Sequence, residues 1–182
     1  DRENRRYRFG NQPHIALWNL YQLANALFPL IEEAAPLETI LHDFQSLYEA
    51  DYANMMRNKL GLVTPEENDN QLIHILTENL QLTETDMTIF FRKLSHLKKE
   101  ESVENAFEMI NDSFYTTNAI TSQIKDSWLY WFTQYLNRLQ LEDTTDTDRK
   151  ISMDKVNPKY VLRNYMAQLA IEAVEKEDYS IL

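Results

Sequence analysis

Apolar residues recur at helical spacing along most of this 182-residue chain, beginning near Gln12 or Pro13. In the first stretch they nearly surround the helix axis, which predicts a central, buried helix that extends to about Phe28. Pro29 lacks an N–H donor and crowds the preceding turn, so we expect it to kink or end this helix. The apolar positions are Ile15, Leu17, Trp18, Leu20, Tyr21, Leu23, Ala24 and Leu27, and the thin polar stripe is Asn19, Gln22 and Asn25.

A second apolar face predicts a long helix from Pro36 to Leu60. Gly61 follows it directly and fits a helix C-terminal cap, because glycine adopts the left-handed conformation readily. Arg57 and Lys59 lie in the last turn, where positive charge suits the helix dipole. The sequence of this stretch therefore predicts the C-terminus of the helix as well as its periodic interior.

Capping signals divide the middle of the chain into shorter helices. Thr64, Pro65 and Glu67 are typical of a capping box, which predicts a third helix from about Pro65 to Asn79.

Thr83 and Asp86 repeat the capping signal and predict a fourth helix that ends near Ser95. The stretch from Ser95 to Glu101 is charged and predicts a loop, and Ser102 is a candidate cap for a short fifth helix.

The longest later helix is predicted from about Ser122 to Leu141. Its four large aromatic residues fall at i, i+3, i+4 and i+7. Such a face can stack a base or a peptide, but aromatic residues at helical spacing usually pack in a core. We therefore assign these residues to the core: Trp128, Trp131, Phe132 and Tyr135.

The polar, acidic stretch from Glu142 to Lys150 predicts a mobile loop at 142–150. After it, Asn157 is a good N-cap residue and Pro158 suits the first position of a helix. A last helix is therefore predicted to begin there. One face of it is apolar, through Val161, Leu162, Tyr165, Met166, Leu169, Ala170, Ala173 and Val174.

These elements predict an all-α fold, an irregular bundle of about seven to nine helices. Only Gly10 and Gly61 occur, against a usual glycine content of about 7%. A loop that brings backbone amides close to a phosphate needs several glycines in tight spacing. The chain therefore has no glycine-rich nucleotide loop, and we predict no cofactor-binding residue within it.

Composition excludes several classes of function. A formal net charge of −11 disfavours nucleic acid as a partner, because phosphate binding needs a basic surface. The sequence has no long apolar run, so we predict no membrane span. It has no cysteine, and its four histidines show no paired spacing typical of a helical zinc site, so we predict no metal site.

Three segments together resemble one known family. The run Asn157 to Glu172 reads NPKYVLRNYMAQLAIE, Tyr7 to Leu20 reads YRFGNQPHIALWNL, and Tyr52 to Leu62 reads YANMMRNKLGL. Their order and spacing are similar to those of the selenoprotein O family, pseudokinase-like enzymes that transfer AMP from ATP to protein hydroxyls. The first match is to a motif near the family's end, and the second to a segment shortly after its metal-binding loop.

The resemblance implies that the chain is the C-terminal helical region of a larger kinase-like enzyme. Residues 1–13 would end an activation-type segment, and residues 14–182 would form a single all-helical region. The family's glycine-rich, catalytic and metal-binding loops have no counterpart in this sequence, so we expect no catalytic residue here. ATP with magnesium or manganese is implied for the parent enzyme, with the remainder of the kinase-like domain and protein substrates as partners. The family also implies a cytoplasmic, bacterial protein.

Seven polar residues are candidates for a structural or substrate-facing role: Arg5, Arg6, Arg8, Asn11, Gln12, Arg163 and Asn164. The N-terminal arginines either border the ATP site of the intact enzyme or form a solvated tail. Arg163 and Asn164 either hold the end of the catalytic domain in place or contact the protein substrate, or else their hydrogen bonds are satisfied within the fold. In the internal case Arg163 pairs with a buried carboxylate and Asn164 caps a neighbouring turn, which we favour because polar residues beside a core face usually find partners within the fold.

A second hypothesis needs no nucleotide chemistry. The chain would then be an independent helical interaction module whose acidic surface holds a basic partner.

Overall fold

The computed structural model describes Arg6 and residues 8–181, and within them it is all-α, as predicted. Eight α-helices occur in this part of the chain, joined by short turns and 3-10 segments, with an isolated bridge between Thr85 and Phe114. The helices are α1 (Gln12–Ile31), α2 (Ala35–Leu60), α3 (Asp69–Leu82), α4 (Met87–Leu94), α5 (Val103–Met109), α6 (Ser122–Leu139), α7 (Asp146–Val156) and α8 (Asn164–Val174). None of the described helices is long and apolar enough to cross a membrane.

The chain divides into two compact units, Asp1–Met55 and Met56–Leu182. The prediction that residues 14–182 form a single helical region of a larger enzyme stays a prediction. The boundary falls within α2, whose bounds otherwise match the predicted second helix.

In the first unit, the prediction that α1 is central and buried is wrong. None of its residues is buried, and Trp18 is 48% exposed. Pro29 lies inside the helix and does not end it, because the one hydrogen bond it removes falls in the last turn. The end comes at Glu32, whose left-handed backbone brings its N–H to the carbonyl of Phe28 at 2.8 Å.

The core of the second unit surrounds α6, and the predicted aromatic core is confirmed. The rings of Trp128, Trp131, Phe132 and Tyr135 are fully buried. Two of them also bond to backbone: Trp131 Nε1 donates to the Leu72 carbonyl at 3.0 Å, and the Tyr135 hydroxyl donates to the Leu60 carbonyl at 2.6 Å. Burial raises the pKa of Tyr135 to about 12, so this hydroxyl stays protonated.

Local capping signals give the observed start of α4 and α5. Asp86 accepts from the Ile89 N–H at 3.0 Å, and Ser102 accepts from the Asn105 N–H at 3.2 Å. Gly61 ends α2 at φ +71° as predicted. A Cβ at Gly61 would lie 2.7 Å from Cγ of Arg149, so this position needs glycine for space as well as conformation.

The third helix begins later than predicted, at Asp69 and not at Pro65. The Thr64 N–H bonds to the side chain of Glu142 at 3.2 Å, which holds this segment away from a helical start. Asp69 then accepts from the Glu66 N–H at 3.0 Å and forms the turn that leads into α3.

The mobile loop predicted at 142–150 is wrong over most of its length. Glu142 is buried, and α7 begins at Asp146. Thr145 caps this helix by accepting from the Asp148 N–H at 3.1 Å. Arg149, only 1% exposed, lies deep in the unit. Polar composition was therefore misleading here, because the capping residue and the buried ion pairs give these charged side chains internal partners.

Candidate functional site

The predicted site residues fall into two groups, one at each end of the described chain. Arg5 lies outside the described residues, so its predicted role stays a prediction. Arg6, Arg8, Asn11 and Gln12 belong to the first unit, and Arg163 and Asn164 belong to the second.

In the N-terminal group, Arg6 and Asn11 make local contacts. The Arg6 guanidinium lies 4.7 Å from the centroid of the Trp18 ring, a cation–π distance. Asn11 Nδ2 donates to the Arg6 carbonyl at 3.3 Å, and its N–H donates to the Arg8 carbonyl at 2.9 Å. Gln12 is the exposed first residue of α1. These contacts fix the entry of the chain into α1.

Arg163 pairs with a buried carboxylate in the second unit. Its Nη2 lies 2.7 Å from Oδ2 of Asp86, a side chain that is 7% exposed. The Tyr115 hydroxyl donates to the same oxygen at 3.2 Å, while Oδ1 caps α4 through Ile89. One carboxylate therefore joins the start of α4, the segment that carries Tyr115 and the residue that precedes α8.

The electrostatics of this cluster favour the charged form of Asp86. Burial alone would raise its pKa. The Ile89 N–H, the charge of Arg163 and the Tyr115 hydroxyl outweigh that effect, and the pKa is lowered from its usual value. The Asp86 carboxylate is therefore ionised at neutral pH.

The predicted start of the last helix at Pro158 is wrong. Asn157 ends α7 with extended backbone, and α8 begins only at Asn164, where Arg163 occupies the cap position without a side-chain cap bond. Asn164 is exposed as the first residue of α8. A proline disfavours helical conformation in the residue before it, so Asn157 suits the end of α7 better than the start of a helix.

Asn157 is instead held by a reciprocal contact with Lys59. Lys59 Nζ donates to its Oδ1 at 2.9 Å, and its Nδ2 donates to the Lys59 carbonyl at 2.9 Å. Arg92 Nη1 also donates to the Asn157 carbonyl at 3.1 Å. The Lys59 ammonium lies 4.3 Å from the centroid of the Phe91 ring, and burial lowers its pKa. Since Lys59 and Asn157 are 98 residues apart, no local pattern could have paired them.

Between these two anchors, residues 158–162 form a connecting strap. Its ends are fixed by Asn157 and Arg163, but Tyr160 is 81% exposed and Leu162 is 77% exposed. Helix α8 continues this surface, since none of its residues is buried. Its exposed apolar side chains include Tyr165, Met166, Leu169 and Ile171. The strap and α8 thus present an apolar surface next to the contacts of Asn157 and Arg163.

The described residues contain no group of three or more His, Cys, Asp or Glu able to hold a metal ion. The polar clusters above consist of ion pairs and side-chain-to-backbone bonds that fix segments of the chain. Two of these clusters, around Asn157 and Arg163, hold the two ends of the strap.

Comparison with known proteins gives a consistent match over the whole sequence. The family model described as "Protein adenylyltransferase SelO" matches residues 1–182. A protein named "Protein nucleotidyltransferase YdiU" from Flavobacterium johnsoniae is 57% identical over the full chain, which covers 35% of that protein. Proteins of the same name from Rhodopirellula baltica and Aromatoleum aromaticum are 39% and 40% identical, with 36% and 34% of their lengths covered. The chain thus spans about a third of the length of these bacterial relatives.

Proposed function

Because the chain belongs to the protein adenylyltransferase SelO family, we propose that it is the C-terminal helical part of an enzyme that transfers AMP to protein hydroxyls. In this proposal the chain supplies scaffold and docking surface and contains no catalytic residue. The support is the family match over the whole chain, together with a sequence that has only two glycines and no nucleotide loop. We place the enzyme in the bacterial cytoplasm, as for its expected family.

The proposed reaction takes place in the part of the relatives that this chain does not match. The hydroxyl oxygen of a serine, threonine or tyrosine attacks the α-phosphorus of ATP and loses its proton to a base or to solvent. The bond from that phosphorus to the oxygen that bridges the α- and β-phosphates breaks, and pyrophosphate leaves. Magnesium or manganese would neutralise the polyphosphate during this step.

The observation that carries the scaffold role is the exposed apolar surface of the strap and α8. Tyr160 and Leu162 are held outward by anchors at Asn157 and Arg163, although side chains of this size stabilise a protein by roughly 1.5–3 kcal/mol each when they are buried. We propose that the remainder of the kinase-like domain covers this surface. Such a partner is part of the same enzyme and would bury these side chains permanently.

The test compares this chain with a longer one that includes the preceding part of the same protein. We expect this chain to transfer no AMP to itself or to a mixture of proteins, and to show no ATP-dependent thermal shift in magnesium. The longer chain should transfer AMP and should show an ATP-dependent thermal shift in magnesium. Magnesium-dependent ATP binding by this chain alone would show that the active site lies within it and would contradict the proposal.

An acidic interaction module is the second candidate, and the net charge of −11 favours it. The preceding residues of the same protein distinguish the two. A glycine-rich loop followed by catalytic and metal-binding loops supports the enzyme, and their absence over about two hundred residues supports the module.

A further inference from the structure

A small surface pocket in the second unit lies where the strap begins. The end of α2, the start of α4 and the first strap residue, Pro158, enclose a volume of about 80 Å³. One water molecule needs only about 10–15 Å³ of such space, so the pocket has room for a small polar group. Its lining consists of Lys59, Met87, Thr88, Phe91, Asn157 and Pro158.

The Lys59 ammonium is the one charged group among these lining residues. Its Nζ donates to Oδ1 of Asn157 at 2.9 Å and lies 4.3 Å from the centroid of the Phe91 ring. Asn157 and Phe91 both line the pocket, and Lys59 is itself only half-buried. The ammonium therefore lies at the pocket wall, where a ligand can meet it.

This ammonium has donor capacity and charge to spare. An ammonium group has three N–H donors, and Asn157 accepts from one of them. No carboxylate in the part of the chain that the structure describes forms a salt bridge with Lys59. Burial lowers the pKa of Lys59, and no neighbouring carboxylate opposes that effect. An acceptor with negative charge is what this position lacks.

The charges beside the pocket also favour an anion. Arg92 donates to the Asn157 carbonyl at 3.1 Å and pairs with Asp154 at 3.1 Å. Lys150 pairs with the same carboxylate. Together with Lys59, this network has three cations and one carboxylate, although the net charge of the chain is −11. A further anion is attracted to it.

The walls of the pocket indicate which anion fits. Met87, Phe91 and Pro158 are apolar and suit the methylene stem of a side chain better than a hydrated inorganic ion. Lys59 is the one cation of the network that lines the pocket, and its single charge matches a carboxylate. An aspartate or glutamate side chain has both the stem and the carboxylate.

The source of this side chain follows from the overall charge and from the position of the pocket. A separate acidic peptide would be repelled by a chain of net charge −11. A carboxylate in the same polypeptide reaches the pocket at a high effective concentration, and Pro158 joins the pocket to the exposed strap. We propose that the pocket receives an aspartate or glutamate side chain from the preceding part of the same protein, which rests on the proposed function, in which that part covers the strap.

Zero-length coupling with a carbodiimide, applied to the longer chain, tests this contact. The reagent joins a lysine amine to a carboxylate that touches it, and mass spectrometry of the digest identifies both residues. We expect an amide between Lys59 and an aspartate or glutamate of the preceding part. Lys98 is exposed and pairs with no carboxylate among the described residues, so it is the control and should form no such amide.

Lys59→Met gives a second measurement, because it keeps the apolar stem and removes the charge and the donors. In this chain it removes the bond to Asn157. In the longer chain it also leaves the acidic side chain buried without a partner, so we expect the urea midpoint to fall at least about twice as far there. Lys98→Met is the matched control and should change both midpoints little. Equal falls for Lys59→Met in the two chains would overturn the acidic contact.

The outcomes separate this contact from the proposed function. Strap amides that exchange equally fast in this chain and in the longer one would show that nothing covers the strap, which would overturn both proposals. A protected strap with Lys59 uncoupled, or coupled to a carboxylate within residues 56–182, would overturn the acidic contact alone.

Discussion

At the scale of single residues, Asp86 shows how one side chain can fix several segments. It caps α4, accepts from Tyr115 and pairs with Arg163. Charge-assisted bonds of this kind are shorter and stronger than neutral ones, and here the carboxylate is buried. The sequence placed Asp86 in a capping signal with Thr83, whereas in the structure Asp86 is itself the cap. Its pairing with Arg163 joins residues far apart in the chain and left no local signal.

Asp86→Asn keeps the cap and removes the charge. We expect it to lower the free energy of unfolding by roughly 1–3 kcal/mol at pH 7, because Arg163 then faces a neutral partner. Since the folded-state pKa of Asp86 is lowered, its contribution is present above the unfolded pKa of about 3.9 and disappears as pH falls through the folded value. Urea unfolding at pH 7 and at pH 3 measures the difference, which should shrink at pH 3.

The control for this substitution is Asp126→Asn, which removes an exposed carboxylate from α6. It should change stability by no more than about 0.5 kcal/mol. A difference between Asp86→Asn and the parent chain that stays constant from pH 7 to pH 3 would contradict the ion-pair account.

Gly61 is a second residue whose identity follows from geometry. Its φ of +71° is strained for any side chain, and a Cβ would lie 2.8 Å from Sδ of Met153 as well as close to Arg149. We expect Gly61→Ala to cost about 2–4 kcal/mol in urea unfolding followed by tryptophan fluorescence. Gly10→Ala, where a Cβ meets nothing within 4 Å, should change the urea midpoint little. Equal effects of the two substitutions would show that contact at Gly61 is unimportant.

At the scale of helices, local signals predicted starts and ends where the capping residue and the backbone group that it satisfies lie within one turn of each other. Asp86 and Ser102 each bond to an N–H three residues later, so the sequence contained both partners. The start of α3 was wrong because Thr64 is held by Glu142, 78 residues away. Likewise, the apolar pattern of α1 indicates a face that favours burial but does not say what covers it.

The polar composition of α7 suggested a loop, and a substitution at its capping residue, Thr145, measures how much the cap stabilises the helix. Thr145→Ala removes the bond to the Asp148 N–H and should cost about 1 kcal/mol in urea unfolding. Thr147→Ala lies within the same helix and is exposed, so it should stabilise slightly through the better helix propensity of alanine. Equal and negligible effects of both would mean that α7 does not depend on this cap.

The strap is an element that neither periodicity nor capping predicted. The anchors at Asn157 and Arg163 hold its two ends, and the helix predicted from Pro158 starts six residues late, at Asn164. The double substitution Tyr160→Ser and Leu162→Ser changes two exposed residues. We expect this chain to unfold as before, but the longer chain to lose at least 2 kcal/mol of stability, roughly the lost burial of two large side chains. Equal urea midpoints for the longer chain with and without the substitutions would contradict this.

At the scale of the whole molecule, the second unit holds a core of its own and leaves one apolar surface open. The second unit is organised around the fully buried rings of α6, and its charged residues find partners inside it. The strap and α8 remain exposed and apolar. In the proposed enzyme this surface is where the helical part meets the remainder of the kinase-like domain.

Hydrogen exchange of residues 158–174, measured by mass spectrometry in this chain and in the longer one, tests that claim most directly. Exposed strap amides exchange quickly unless another part of the protein covers them, while the α6 core is an internal reference that should be protected in both. We expect at least about tenfold slower exchange over residues 158–174 in the longer chain. Unchanged exchange there, with α6 equally protected in both, would contradict it.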